Sequence, residues 1–310
     1  MIQKKLALYY LAIVLFMALP SRASDPSPSL LEARKGFHST LLPRRDPIDE
    51  PPPQVLNKVK YSSSVGDLGA LITPQKMDGK KHPALIWIHG GPCNEINLGL
   101  CLGEVAKEND QSGSIFRKMN IVTMYPSLRG GNDNPGRQEG FLGEVDDVAA
   151  AATYLAKRPD VDPTRIYLGG HSTGGTLALL TAECYPAQFR DVFCFGAAFD
   201  VVRYDPLWTP FPKRNKQEVR LRSPGYWLDC VKCPTFLFEG GSGQSQIASL
   251  EKMKSSTSNP FLHFYPEPNA THLGILAPIS KIIADKILTD NGTSTNITFT
   301  EAELSEPFAH

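Results

Sequence analysis

Residues 169–175 read Gly-Gly-His-Ser-Thr-Gly-Gly, between the apolar run 165–168 and the helix-like run 176–184. A strand, a sharp turn and a helix in that order are the setting of a GxSxG nucleophile elbow, in which Ser172 stands exposed above the end of a sheet. Gly170 and Gly174 flank it, and only residues without a side chain let neighbouring backbone pass that close. A serine so placed attacks a carbonyl carbon, which requires a base, a group that orients the base, and donors for the developing oxyanion. The base expected from chain order is the last loop histidine, His272, in Pro268-Asn269-Ala270-Thr271-His272-Leu273-Gly274. Among the other histidines, His38 and His310 lie in the chain ends, His82 begins a strand and His263 falls inside one. His171 adjoins the nucleophile and is expected to help hold the elbow. His89-Gly90-Gly91-Pro92 ends an apolar strand with two glycines, so the Gly91 amide and the Thr173 amide are the expected oxyanion donors. Two carboxylates compete to orient His272: Glu239 at a strand end is favoured, and Asp200 in Phe199-Asp200-Val201 is the alternative, each also readable as a purely structural residue. Asp146 and Asp147 open a helix, where they suit the dipole and can anchor Arg129; an anion-binding role for Arg129 stays open.

The elements that must carry these groups follow from hydrophobic periodicity. Runs 55–61 and 68–73 read as an opening hairpin. Strands are then expected at 83–89, 121–125, 165–168, 192–198, 235–239 and 261–265. They alternate with helices at 98–107, 145–157, 176–185, 246–255 and 277–288. Such alternation implies an α/β fold with a doubly wound, mostly parallel sheet covered by helices on both faces, and ligands at the carboxyl ends of its strands. Segment 201–230 interrupts the rhythm with Tyr204, Trp208, Phe211, Tyr226 and Trp227. It reads either as a lid or as an excursion whose aromatics pack on the core.

Several runs together resemble the α/β-hydrolase fold, in particular the hydrolase domain of the prolyl oligopeptidase (S9) family. They are Ile88-His89-Gly90-Gly91-Pro92, Tyr125-Pro126-Ser127-Leu128-Arg129-Gly130-Gly131-Asn132, Gly143-Glu144-Val145-Asp146-Asp147-Val148, the elbow, Arg222-Ser223-Pro224 and Cys233-Pro234-Thr235-Phe236-Leu237-Phe238-Glu239-Gly240. The resemblance spans residues 60–288 and implies a serine hydrolase with Ser172 as nucleophile and His272 as base. It also marks two departures. Residues 24–54 leave no room for the β-propeller that such peptidases carry, so an esterase-like acyl hydrolase is at least as well supported as a peptidase. The family's acid follows the penultimate strand in a pattern like HGxxD, whereas Gly243 occupies that place here. The expected function is therefore an exported serine hydrolase of an ester, amide or short peptide. The alternative is a weak or inactive hydrolase-fold binding protein.

Composition narrows the rest. The chain has 310 residues, 41% hydrophobic and 21% charged, enough for one large core at residues 55–288. Lys plus Arg and Asp plus Glu balance at 32 each, which gives no field for nucleic acid. Lys4 and Lys5 precede an apolar run at 6–19 and small residues up to Ala23, the pattern of a signal peptide over 1–23, with an uncleaved anchor as runner-up. Residues 24–54 form a proline-rich arm and 289–310 a polar tail. A secreted or periplasmic location permits disulfides, and the sequence-near pairs Cys93 with Cys101, Cys184 with Cys194 and Cys230 with Cys233 are the simplest expectation. Sequons at Asn269, Asn291 and Asn296 would carry glycans only in a eukaryotic secretory route, and one at Asn269 would obstruct His272; a bacterial route is preferred. No phosphate-binding motif or metal-ligand spacing accompanies the elbow, and the expected chemistry needs no cofactor.

Overall fold

The computed structural model of the chain describes residues 46–103 and 109–309. The expected leader at 1–23, residues 24–45 of the arm and the end of the helix expected at 98–107 lie outside the described residues. Eight strands form one sheet: β1 (Asn57–Ser63), β2 (Gly66–Ile72), β3 (His82–Ile88), β4 (Val122–Pro126), β5 (Val161–His171), β6 (Val192–Phe195), β7 (Thr235–Ser242) and β8 (Leu262–Thr271). Their order is β1-β2-β4-β3-β5-β6-β7-β8; β1 with β2 and β2 with β4 are antiparallel, and the remaining pairs are parallel. The mostly parallel sheet inferred from the alternation is the one observed, in the α/β-hydrolase arrangement that the resemblance implied. From β3 the chain moves outward to β4 and then returns to β5 on the other side, so a crevice opens between the carboxyl ends of β3 and β5.

Side-chain alternation along each strand divides the core into two layers. On β3, Ala84, Ile86 and Ile88 face one layer with Leu177 and Val148, while Leu85 and Trp87 face the other with Ile279 and Ile283. The first layer is covered by α3 (Glu144–Ala156) and α4 (Thr173–Cys184). The second is covered by α2 (Ser114–Lys118) and α7 (Leu276–Thr289). Its floor is aromatic because β6 and β7 place phenylalanines in register: Phe193 opposite Phe236 and Phe195 opposite Phe238, with ring centroids 5.7 and 5.1 Å apart. Such stacked cross-strand pairs add about 0.5–1.5 kcal/mol each beyond the area they bury.

Differences from the sequence reading are local. The hairpin strands run farther than expected and leave only Ser64 and Val65 between them. The helix expected from 98 is described only as α1 (Leu98–Leu102), ended by Gly103 in the left-handed region. The tail is polar in composition yet ordered: Ile297, Phe299 and Leu304 are buried, and Phe299 stands edge-on against Phe193, Phe236 and Phe238. A short helix α8 (Glu301–Ser305), closed by a Thr300–Glu303 capping box, follows it. In 201–230, Tyr204 is buried and Trp208 and Phe211 pack on the core around α5 (Lys216–Leu221), while Leu207 stays 78% exposed. None of the expected disulfides is formed, and all six cysteines are free. Cys93 and Cys101 cannot meet because they belong to opposite layers of the core. Cys194 is held in mid-sheet on β6, whereas Cys184 ends a helix and is exposed.

A close backbone contact holds α4 against the end of β3. A Cβ added to Gly174 would lie 2.2 Å from the Ile88 carbonyl oxygen and 2.6 Å from that of His89. Gly174→Ala should therefore lower unfolding stability by about 3 kcal/mol or more, measured by denaturant titration. The control Gly243→Ala, with nothing within 4 Å of its added Cβ, should cost only the strain of a positive φ.

Candidate active site

Ser172 sits between the last residue of β5 and the first of α4, with φ +55° and ψ −113°. That is a strained conformation for a residue with a side chain, of the kind that persists only where surrounding contacts enforce it. Here the enforcement is visible. The Ser172 N–H donates to the Phe195 carbonyl at 2.7 Å, and its own carbonyl accepts the Thr176 N–H at 2.9 Å and the Thr176 hydroxyl at 3.1 Å. Thr176 Oγ1 in turn accepts the Ala198 N–H and contacts the Tyr204 hydroxyl at 2.7 Å, so the base of the 201–230 segment braces the elbow.

Both expected oxyanion donors lie at the β3–β5 crevice. The Thr173 side chain donates to the Gly91 carbonyl at 2.7 Å, tying the first turn of α4 to the His89-Gly90-Gly91 loop. The Thr173 amide is the first of the helix, where no intrahelical acceptor exists and the dipole favours negative charge. His89 is buried, with Nδ1 2.7 Å from the Gly90 carbonyl and Nε2 2.5 Å from that of Glu95. Desolvation lowers its pKa, and a neutral ring donates to one of the two. Its imidazole thus engages its own loop.

The strands β7 and β8 position the other half. Glu239 is the last buried residue of β7 that carries a side chain, 1% exposed. Past it the pairing slips: Gly240 faces Glu267, but Ser242 faces Thr271, so β8 carries two extra residues, and the chain beyond them brings His272 to Glu239. His272 Nδ1 lies 3.0 Å from Glu239 Oε1 and 3.2 Å from Oε2, and the Gln246 N–H donates to Oε1 at 2.8 Å. With Nδ1–H given to the carboxylate, Nε2 carries the lone pair that a general base uses. Asp200 is placed differently: its carboxylate accepts the Val202 N–H at 3.1 Å within a turn, and no hydrogen bond joins it to His272. Gly243, where the resemblance locates an acid, lies in a left-handed turn.

Three contributors were not legible from motifs. Gly196, at φ +62°, follows β6, and a Cβ there would fall 2.4 Å from His272 Cε1 and 2.8 Å from Glu239 Oε2. Gln246 fixes the carboxylate through its backbone, and Thr173 acts through its hydroxyl. His171 packs its ring 4.5 Å from that of His272, and its Nε2–H donates to the His272 carbonyl at 3.2 Å. Burial, then the neighbouring His272 and His89, lower its pKa to about 3, so the ring is neutral. Arg129 is fully engaged: its side chain makes a two-pronged pair with buried Asp147 at 2.9 Å and a third bond to Glu139 at 2.8 Å. Asp146 stands farther from the guanidinium, 4.0 Å from Arg129 Nη2, and also accepts from the Tyr185 hydroxyl. These bonds leave Arg129 a structural anchor of the loop beside β4.

Comparison with known proteins adds the family context. Residues 109–243 match the model of the prolyl oligopeptidase family. The puromycin-hydrolyzing peptidase of Mycobacterium tuberculosis superposes with a TM-score of 0.60 at 18% identity, covering 76% of this chain and 39% of that one. The domain is an S9-like α/β-hydrolase. Mouse dipeptidyl peptidase 8 is 25% identical over 232 residues, 68% of this chain and 24% of that protein. Rat S-formylglutathione hydrolase is 26% identical over 147 residues, 41% of this chain and 50% of the relative. The S9-like chain thus aligns with about a quarter of the peptidase and half of the hydrolase.

Two outcomes follow from the geometry of this S9-like domain. Because the folded pKa of His171 lies below the ordinary 6.5, its contribution to stability is present above about pH 6.5 and is lost as pH falls toward 3. Thermal melts across that window should fall steeply in the natural protein and less steeply in His171→Gln, by an amount of a few kcal/mol. Ser172→Gly should exceed Ser172→Ala in stability by about 1 kcal/mol, since glycine relieves the positive φ.

Proposed function

We propose that the chain is a serine hydrolase that cleaves a small ester, amide or short peptide by acyl transfer, and that residues 1–23 direct its export. The observation that carries the reading is the Glu239–His272 pair at 3.0 Å at the same sheet edge as the strained Ser172. In the proposed cycle His272 Nε2 takes the Ser172 hydroxyl proton as the oxygen attacks the carbonyl carbon, and Glu239 stabilises the imidazolium. The amides of Gly91 and Thr173 hold the oxyanion. Collapse of the tetrahedral intermediate expels the leaving group with the proton returned from His272, and water attacks the acyl-enzyme by the same relay. Glu239 from within the strand takes the part that the family pattern gives to a later loop acid, which argues against the inactive binding-protein reading. The relatives carry peptidase and hydrolase names, so both amide and ester substrates are proposed. A cleft of about 250 Å³ lined by Asp200, Arg203, Tyr204, Gln246 and Lys252 adjoins Glu239 through Gln246 and offers polar walls for the substrate.

A fluorophosphonate probe should label the folded natural protein and fail to label Ser172→Ala; a folded, unlabelled natural protein would overturn the reading. With p-nitrophenyl acetate, Glu239→Gln should lower kcat by roughly 10³–10⁴-fold. Gly196→Ala should lower it about as much by displacing the imidazole, while Asp200→Asn leaves it within about threefold.

A further inference from the structure

A second cavity, of about 310 Å³, lies between α3, α4 and the 201–230 segment. Its walls are apolar: Phe141, Leu142, Val145, Leu180, Leu221 and Trp227. It is distinct from the site above, because Glu183, which also lines it, is eleven residues along α4 from Ser172, roughly 16 Å at the helical rise. Its size falls at the lower end of the range for small-molecule sites. Leu142 and Leu221 are partly exposed, at 37% and 42%, and form an open apolar rim.

Glu183 does not fit this environment as it stands. The residue is 8% exposed, and neither carboxylate oxygen has a hydrogen-bond partner. It stands in the last turn of α4, where the helix dipole opposes negative charge. The other polar groups at the wall are the thiols of Cys184 and Cys230 and the Trp227 indole N–H, which is given to the Arg220 carbonyl; none of them brings a positive charge. An unpaired buried carboxyl is costly to the fold unless a partner arrives. Burial pushes its pKa well above the usual carboxylate range, with Cys230 adding to the effect, which is the behaviour of an acid without a counter-charge.

We propose that this cavity is a ligand site for a small amphiphile with an apolar, preferably aromatic, body and a primary ammonium head. The head donates to Glu183, and the body fills the space between Phe141, Leu180 and Trp227. The ammonium group supplies the charge and the donors that the carboxyl lacks, so a bare hydrocarbon of the same shape is the weaker ligand. The site does not depend on the hydrolase reading, since none of its residues belongs to the Ser172 apparatus.

The test uses the full chain carrying Ser172→Ala, so that turnover does not enter, with phenethylamine and ethylbenzene as probes. Binding is followed by calorimetry and by the fluorescence of Trp227. Phenethylamine should bind at least about tenfold more tightly than ethylbenzene, and Glu183→Gln should remove that preference while keeping the fold, judged by circular dichroism. Leu221→Trp, a change at the exposed rim that leaves the core intact, should block both probes. Equal affinity for the two probes, undiminished amine binding in Glu183→Gln, or no amine binding at millimolar concentration would each overturn the proposal.

Discussion

The approach of α4 to the carboxyl end of β3, with no side chain between them, is the contact on which the site rests. Gly174 lies against the carbonyls of Ile88 and His89, and this proximity allows the Thr173 hydroxyl to reach the Gly91 carbonyl. The two loops that flank the crevice are thereby fixed to each other, and Ser172 is held in a backbone conformation that it would not adopt alone. The strain at Ser172 is sustained from three directions: the Phe195 carbonyl below, the Thr176 hydroxyl behind, and the β3 terminus in front.

Parallel register does the remaining positioning. Because β5, β6 and β7 pair in step, His171, Phe195 and Phe238 occupy one row, and Ser172, Gly196 and Glu239 follow them at the same sheet edge. The bulge between β7 and β8 then brings His272 back over Gly196. A carboxylate at the end of the strand meets the imidazole because the intervening residue is glycine.

The elbow, the two-glycine turn and the histidine loop were legible because each is a short pattern whose residue types have a local physical reason. The parallel sheet was legible through alternation. The choice between Glu239 and Asp200 was not, since it depends on a register slip involving Pro268, Asn269 and Ala270, which no periodicity encodes. Gly196 escaped notice for a related reason: its role lies in what a side chain would strike, and those atoms come from β7 and the loop after β8. The disulfide expectation failed because proximity in sequence says nothing about which face of a sheet a cysteine occupies, as Cys93 and Cys101 illustrate. The polar tail concealed Phe299, a single aromatic whose partners lie on three strands and one of which is more than 100 residues earlier.

That last contact ties the order of synthesis to the order of folding. The aromatic floor made by Phe193, Phe236, Phe238 and Tyr265 is translated well before the residue that covers it, so a nascent chain presents this greasy surface uncovered until residue 299 has emerged. The sheet therefore reaches its final closure only after residue 299 has left the ribosome, and partly folded chains with such uncovered rings are prone to self-association.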